Sequence, residues 1–386
     1  MSKRSVIVLG GGIGGVTAAI RLRRLLAAEH RVVIVEQRPT FSMPMANLWL
    51  MSGERQDQRE GERPLAGLAR HGIEIVQGEI QSIDPAAKRV GTSTGAVDGD
   101  YLVVALGAAK APQAVPGFVE SALNLYEPDG AMRIREALAA FSGGRVVVLV
   151  SRTPFSCPSA PYEAAFLADA MLREKGVRDR TEVAVYTPED IPMLAAGEHV
   201  GLALVDMLRE RDIEFHREQI AMKIDAARRR ILFEVEDTSF DLLIGVPPHV
   251  APAVVRESGL TDASGWIPVD ATTLRTRHDG VYAIGDVTAV RLANGMFLPK
   301  AGVFADGEAS TVAAVIAAEI AGGPPPAQYD GRGSCFIEVG GGKAAYGAGN
   351  FYGIPGPRVT LEPPSESYRR EKLDVERTTL ALWDER

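Results

Sequence analysis

The chain has 386 residues, 46% of them hydrophobic and 24% charged, with a net charge of −8. That length fits two or three compact units of roughly 100–200 residues each, and the acidic balance without a basic cluster excludes a general nucleic-acid binder. The longest apolar stretches are broken by charged residues before the roughly 18 positions that a membrane span needs, and two cysteines are too few for a secreted disulfide framework.

The N-terminus runs MSKRSVIVLGGG. Its first apolar residues form a short strand and not a signal h-region, so the expected location is cytoplasmic. Strand-like residues 6–10 lead into a helical pattern over 14–28 and a second strand over 31–36, which is a βαβ unit. Residues 41–63, rich in Met, Pro and Gly, form a connection, followed by β-type runs at 73–76 and 101–106. A second strand, turn and helix begin at Arg145, and a strand over 182–186 follows. Further strands fall at 241–246 and 280–284, with helices at 198–211 and, alanine-rich, at 308–320; GGPPP at 322–326 marks a boundary. The pattern predicts an α/β protein with two Rossmann-like dinucleotide-binding domains and a C-terminal extension. The first domain is discontinuous (1–110 and 247–322), the second covers 111–246, and 323–386 carries Cys335 and a terminal amphipathic segment.

Gly10, Gly12 and Gly15 make G-x-G-x-x-G between strand and helix, and Glu36 ends the next strand. The first glycine permits a tight turn, the second lets backbone approach a pyrophosphate, and the third brings helix and strand together; Glu36 is suited to ribose hydroxyls. The motif alone leaves FAD and NAD open. The stretch TLRTRHDGVYAIGDVT, ending in Gly285 and Asp286 before Val287 and Thr288, resembles the late FAD fingerprint of pyridine nucleotide-disulfide oxidoreductases, and DYLVVALGAA resembles their middle motif, with Leu106 where a threonine is usual. The resemblance implies FAD, with Asp286 at the ribityl chain and Gln37, Pro44, Ala105 and Gly107 among its contacts.

At the second strand and turn the glycine motif is missing. Ser151, Arg152, Thr153, Pro154 and Phe155 offer no glycine where a second pyrophosphate would meet backbone, so this domain is expected not to bind NAD(P)H.

Over nearly its full length the chain resembles the sulfide:quinone oxidoreductases and the flavoprotein subunit of flavocytochrome c sulfide dehydrogenase. The carriers are SCPSAPYEAA around Cys157, GSCFIEVGGGKAAYG around Cys335, LIGVPPHVAP and FLPKAGVFAD. The resemblance implies a Cys157/Cys335 redox pair, Glu163 as a proton-transfer carboxylate and Lys300 beside the isoalloxazine. Hydrosulfide would attack the disulfide, leave a persulfide on one sulfur and free the other as a thiolate beside the flavin. Two departures matter. No third cysteine occurs in NLYEPDGA at 124–131, which favours a two-cysteine scheme, and Met43 stands in FSMPMAN where the flavocytochrome subunit tethers its flavin, so FAD is expected to be non-covalent.

The implied partners are sulfide and a quinone. The tail residues Leu373, Leu380, Leu382 and Trp383 make a modest apolar stripe that would suit peripheral membrane contact or packing on the protein itself. A cytochrome c-type acceptor, a type II NADH dehydrogenase-like enzyme, a non-catalytic flavin-binding redox sensor and a homo-oligomer are left open.

Overall fold

The computed structural model describes residues 3–324 and 328–384, so Pro325 and Pro326 of the expected GGPPP boundary lie outside the described residues. Two five-stranded parallel sheets organise the chain. The first runs Val281–Ala283, Tyr101–Val104, Ser5–Leu9, Arg31–Glu36, Glu74–Gln77 across the sheet. Its strands are buried on both faces: Val6 and Val8 join one cluster, Ile7 and Leu9 the other. This is why they read as near-continuous apolar runs without alternation. The second sheet runs Leu123–Asn124, Leu242–Val246, Gly144–Val150, Thr181–Tyr186, Ile213–His216.

The chain leaves the first sheet through Ala109–Lys110 and returns through His249–Val250, and these crossings pair antiparallel with each other. After the second return comes the helix Gly302–Ala321. It starts six positions before the expected helix because Gly302 and Ala305 serve packing and not a loop. A Cβ on Gly302 would lie 2.6 Å from Ile13 Cδ1, and one on Gly14 would lie 3.3 Å from Ala305 Cβ, so small residues let this helix lie along Ile13–Leu25. That first helix ends at Leu25, short of the expected position 28, and Arg23 reaches back to the carbonyls of Leu26 and His30.

A three-stranded antiparallel sheet follows, Arg332–Gly340, Lys343–Asn350 and Arg358–Ser365, and then the helix Glu366–Ala381. The first hairpin turns at Gly340, Gly341 and Gly342, with φ of +77°, +59° and +69°, a run that other residues adopt only under strain. The final helix packs inward. Arg369, Lys372, Glu376 and Leu380 are buried, and Trp383 lies against Phe41 with ring centroids 5.1 Å apart. Of the four stripe residues, Leu380 and Trp383 therefore belong to the core, while Leu373 is exposed. Among the described residues, no helix is long and apolar enough to cross a membrane.

Candidate active site

The turn after Ser5–Leu9 demands glycine for two distinct reasons. A Cβ on Gly10 (φ +104°) would lie 2.5 Å from the Ala105 carbonyl oxygen, and one on Gly15 would lie 1.9 Å from the Gly10 oxygen, so these two hold strand ends and helix together. Gly12 and Gly107 face open space: nothing lies within 4 Å of a Cβ built on either. Glu36 accepts hydrogen bonds from the backbone N–H groups of Gly11 (2.8 Å) and Arg38 (3.0 Å). Burial works to raise its pKa, but the Arg38 charge and these bonds outweigh it and hold the carboxyl below its ordinary value.

Gly10–Gly12, Glu36, Ala105–Gly107 and Gly285–Asp286 thus follow four neighbouring parallel strands at one carboxyl edge. The strand order reverses there, between Ser5–Leu9 and Tyr101–Val104. The helices Ile13–Leu25 and Gly302–Ala321 begin close to this edge without a side-chain cap or an acidic residue in the first turn, leaving N–H groups for an anion. Gln37 and Pro44 are exposed after Glu36 and before the short helix Ala46–Ser52. This cradle fits a dinucleotide such as FAD: open space at two glycines, uncapped helix starts and an ionised acid. A buried acceptor is open as well. His249 is 5% exposed and bonds Pro247 O through Nδ1, and its Nε2 has no partner among the described residues.

In the second sheet the strand Gly144–Val150 does not turn directly into a helix. Residues 151–159 intervene before Ala160–Glu174. Ser151 is fully buried with its hydroxyl on Val246 O (2.7 Å), Arg152 reaches Ala221 O (2.7 Å), and Tyr162 donates to Glu189 (2.5 Å). Where the first domain has Glu36 at the end of its second strand, this one has Tyr186, stacked on His216 with centroids 4.1 Å apart.

The intervening loop reaches the cofactor edge instead. Cys157 N–H donates to Lys300 O (2.6 Å), Ser156 pairs with Lys300 as a parallel bridge, and the Ser156 hydroxyl donates to Asp286 (2.5 Å). Tyr126 donates to Ser156 O at 2.7 Å. These contacts hold Cys157 at φ +49°, a left-handed backbone that costs a non-glycine residue about 1–3 kcal/mol. Cys335 enters from the strand Arg332–Gly340. The fully buried Ser159 hydroxyl lies 3.8 Å from Cys157 Sγ and 3.2 Å from Cys335 Sγ, so both sulfurs abut one oxygen. Burial, then the neighbouring Cys335 and Glu163 charges, push the Cys157 thiol up to about 12; burial and Glu163 push Cys335 up to about 11. Both are protonated at neutral pH unless a base takes the proton.

A buried carboxylate lies beside them. Glu163, 1% exposed, accepts from Ser159 (2.8 Å) and from the Glu338 N–H (3.0 Å) and is ion-paired with Lys372. Lys372 also meets Glu338 (2.9 Å), which takes the Trp49 indole N–H (2.8 Å) and Arg369 (3.0 Å). The two carboxylates raise the Lys372 pKa against its burial, so it stays cationic. Lys300 is buried too, its ammonium on the carbonyls of Asp286 (2.6 Å) and Thr288 (3.1 Å) and 3.4 Å from the Trp266 ring centroid; burial lowers its pKa to about 8. Burial raises the pKa of Asp286, and it raises that of Glu308, whose carboxylate takes the Gly285 N–H (2.6 Å), to about 8.

Sequence reasoning missed Ser159, Tyr126 and Lys372. Ser159 sat inside the stretch quoted for Cys157 and Tyr126 inside the one searched for a cysteine. Lys372 was one charge among many in the tail, and nothing local marks it as buried.

The sequence profile of the pyridine nucleotide-disulphide oxidoreductase family matches residues 4–303. The chain is 26% identical over 303 residues to the mitochondrial sulfide:quinone oxidoreductase of Mus musculus, covering 73% of this chain and 65% of that protein. It is 24% identical over 309 residues to the type II NADH:quinone oxidoreductase of Staphylococcus haemolyticus, covering 74% and 75%. The crystal structure of the sulfide:quinone oxidoreductase from Aquifex aeolicus superposes with a TM-score of 0.88 at 22% identity, covering 99% of this chain and 92% of that one.

Proposed function

Because this chain belongs to the pyridine nucleotide-disulphide oxidoreductase family, we propose that it is a flavoenzyme that oxidises sulfide at Cys157 and Cys335 and delivers the electrons to a quinone. The observation that carries the reading is the contact of both sulfurs with one buried hydroxyl, on a loop bonded to Lys300 and Asp286 at the dinucleotide edge. Likeness to the mouse sulfide:quinone oxidoreductase supports the choice of donor and acceptor.

Gly10, Gly12, Gly15, Glu36, Gln37, Pro44, Ala105, Gly107, Gly285, Asp286 and Lys300 would hold FAD without a covalent bond, since the Met43 thioether cannot form one. When bound, FAD would supply the two-electron chemistry that links the thiols to a quinone. In the oxidised protein Cys157 and Cys335 form a disulfide. Hydrosulfide breaks that S–S bond and makes a new one, giving a persulfide on one cysteine and a thiolate on the other. Glu163 moves protons for the sulfurs, while Lys372 keeps the carboxylate cluster from repelling a thiolate. Lys300 sets a positive charge on the Asp286 segment, which favours added electron density nearby. We put the quinone's approach at the apolar side chains left exposed around the Lys300 loop, Phe297 and Val303, since half of the tail stripe faces inward.

Anaerobic mixing tests this. Sulfide should bleach the yellow protein within seconds and a soluble quinone should restore it faster than cytochrome c; Cys157→Ser and Cys335→Ser should keep the colour and lose the bleaching. Equally fast bleaching by NADH would transfer the conclusion to the chemistry named for the Staphylococcus haemolyticus relative. Slow, stoichiometric bleaching would leave a redox sensor.

A further inference from the structure

Neither family likeness nor the disulfide scheme assigns a role to Ser159. We infer that its hydroxyl is the proton-transfer residue between the Cys335 sulfur and the Glu163 carboxylate. The inference rests on the thiol chemistry proposed above and concerns the reduced protein, in which both cysteines are free thiols.

The direction follows from hydrogen counting. Ser159 has one hydroxyl hydrogen, directed at Glu163 Oε1 at 2.8 Å. Glu163 is ion-paired with Lys372 and also accepts the Glu338 N–H, so it has no hydrogen to give back. The lone pairs of Ser159 are then open to the S–H of Cys335, 3.2 Å away, and less favourably to that of Cys157 at 3.8 Å. In the transfer the Cys335 S–H bond breaks and its proton bonds to Ser159 Oγ. The hydrogen that Ser159 held passes to Glu163 Oε1. The products are a Cys335 thiolate and a neutral Glu163 carboxyl, with no electrons exchanged.

Charge offsets part of the cost of the step. Before it, Glu163 and Glu338 face Lys372 and Arg369, and Arg369 also pairs with Glu54. After it the cluster has one negative charge fewer beside the new thiolate, and the Glu163 charge that helped to raise both thiols is gone. Water has little access to do the same work, because Ser159 is fully buried and Glu163 is 1% exposed.

The test uses the full-length, flavin-loaded protein with Cys157→Ser, so that Cys335 is the single thiol, and reads iodoacetamide alkylation by intact mass across pH. Glu163, Glu338, Lys372 and Tyr126 are the other titratable groups around the sulfurs. Ser159→Ala should slow alkylation near pH 8 by about tenfold, the loss that a rise of about one pH unit in the inflection brings. Ser159→Thr, which keeps the hydroxyl, should recover most of the rate. Should Ser159→Ala fail to fold, Ser159→Gly removes the same hydroxyl. An unchanged rate and pH profile in either deletion, or a threonine variant no better than alanine, overturns the inference. No sulfide is used, so the outcome is independent of whether sulfide is the physiological donor.

Discussion

Lys372 lies between two buried carboxylates, and replacing it by methionine, which keeps the apolar stem and removes the charge, is the most informative single change. Glu338 would keep Arg369 and the Trp49 indole, but Glu163 would be left with two neutral donors, Ser159 and a backbone N–H. Removing one partner of a buried pair costs about 3–5 kcal/mol, and the second carboxylate puts Lys372→Met near the upper end. Glu163→Gln should cost less, about 2 kcal/mol, because Lys372 retains Glu338. The double variant should then lose about 2 kcal/mol less than the sum of the two single losses, since neither group is left unpaired. Urea unfolding followed by far-ultraviolet circular dichroism and by flavin release measures all four corners of the cycle, with coincident transitions required before free energies are assigned. Additive losses, or a Lys372→Met loss below about 1 kcal/mol, would refute the picture of a buried, mutually compensating cluster. The same variant should also slow alkylation of both thiols, because the Lys372 charge acts to lower their pKa values.

Gly12→Ala should leave the fold intact and abolish flavin retention, because its Cβ meets only open space, whereas Gly15→Ala should fail to fold, its Cβ lying 1.9 Å from the Gly10 oxygen; thermal melting and the bound-flavin spectrum separate the two. Glu308 has a folded pKa of about 8 against an ordinary 4.5, so its contribution to stability is full below 4.5 and is lost as pH rises through 8. Wild-type stability should therefore fall by a few kcal/mol across that window in a component that Glu308→Gln lacks, as urea midpoints at several pH values would read. Tyr126→Phe removes the hydroxyl bonded to Ser156 O and should cost about 1–2 kcal/mol while loosening the Cys157 loop, seen as faster iodoacetamide labelling of Cys157 in a Cys335→Ser background.

The dinucleotide edge was legible because its demands are local. A turn that needs Gly10, a helix that needs Gly15 against it and an acid at the next strand end all fall within one βαβ unit, and the chain carries them in order. The meeting of Cys157 with Cys335 was not legible from spacing; family likeness suggested it, and a hairpin of the antiparallel sheet brings Cys335 to the loop of the second parallel sheet. Lys372 and Arg369 were illegible because a buried charge on an amphipathic helix has the same local pattern as a solvated one. The start of the helix Gly302–Ala321 was obscured for a related reason: small residues chosen for contact with a distant helix look like breakers when only their neighbours in sequence are considered.

The paired crossing of Ala109–Lys110 with His249–Val250 bears on how the protein moves. A single connecting strand would act as a hinge and let one lobe swing away from the other; two strands zipped together act as a clasp. The lobe that carries Cys157 is thus tied at two strands to the lobe that forms the edge. For the proposed reaction, this predicts catalysis without opening and shutting, its pace set by how quickly a very small reductant diffuses in and an apolar oxidant reaches the rim.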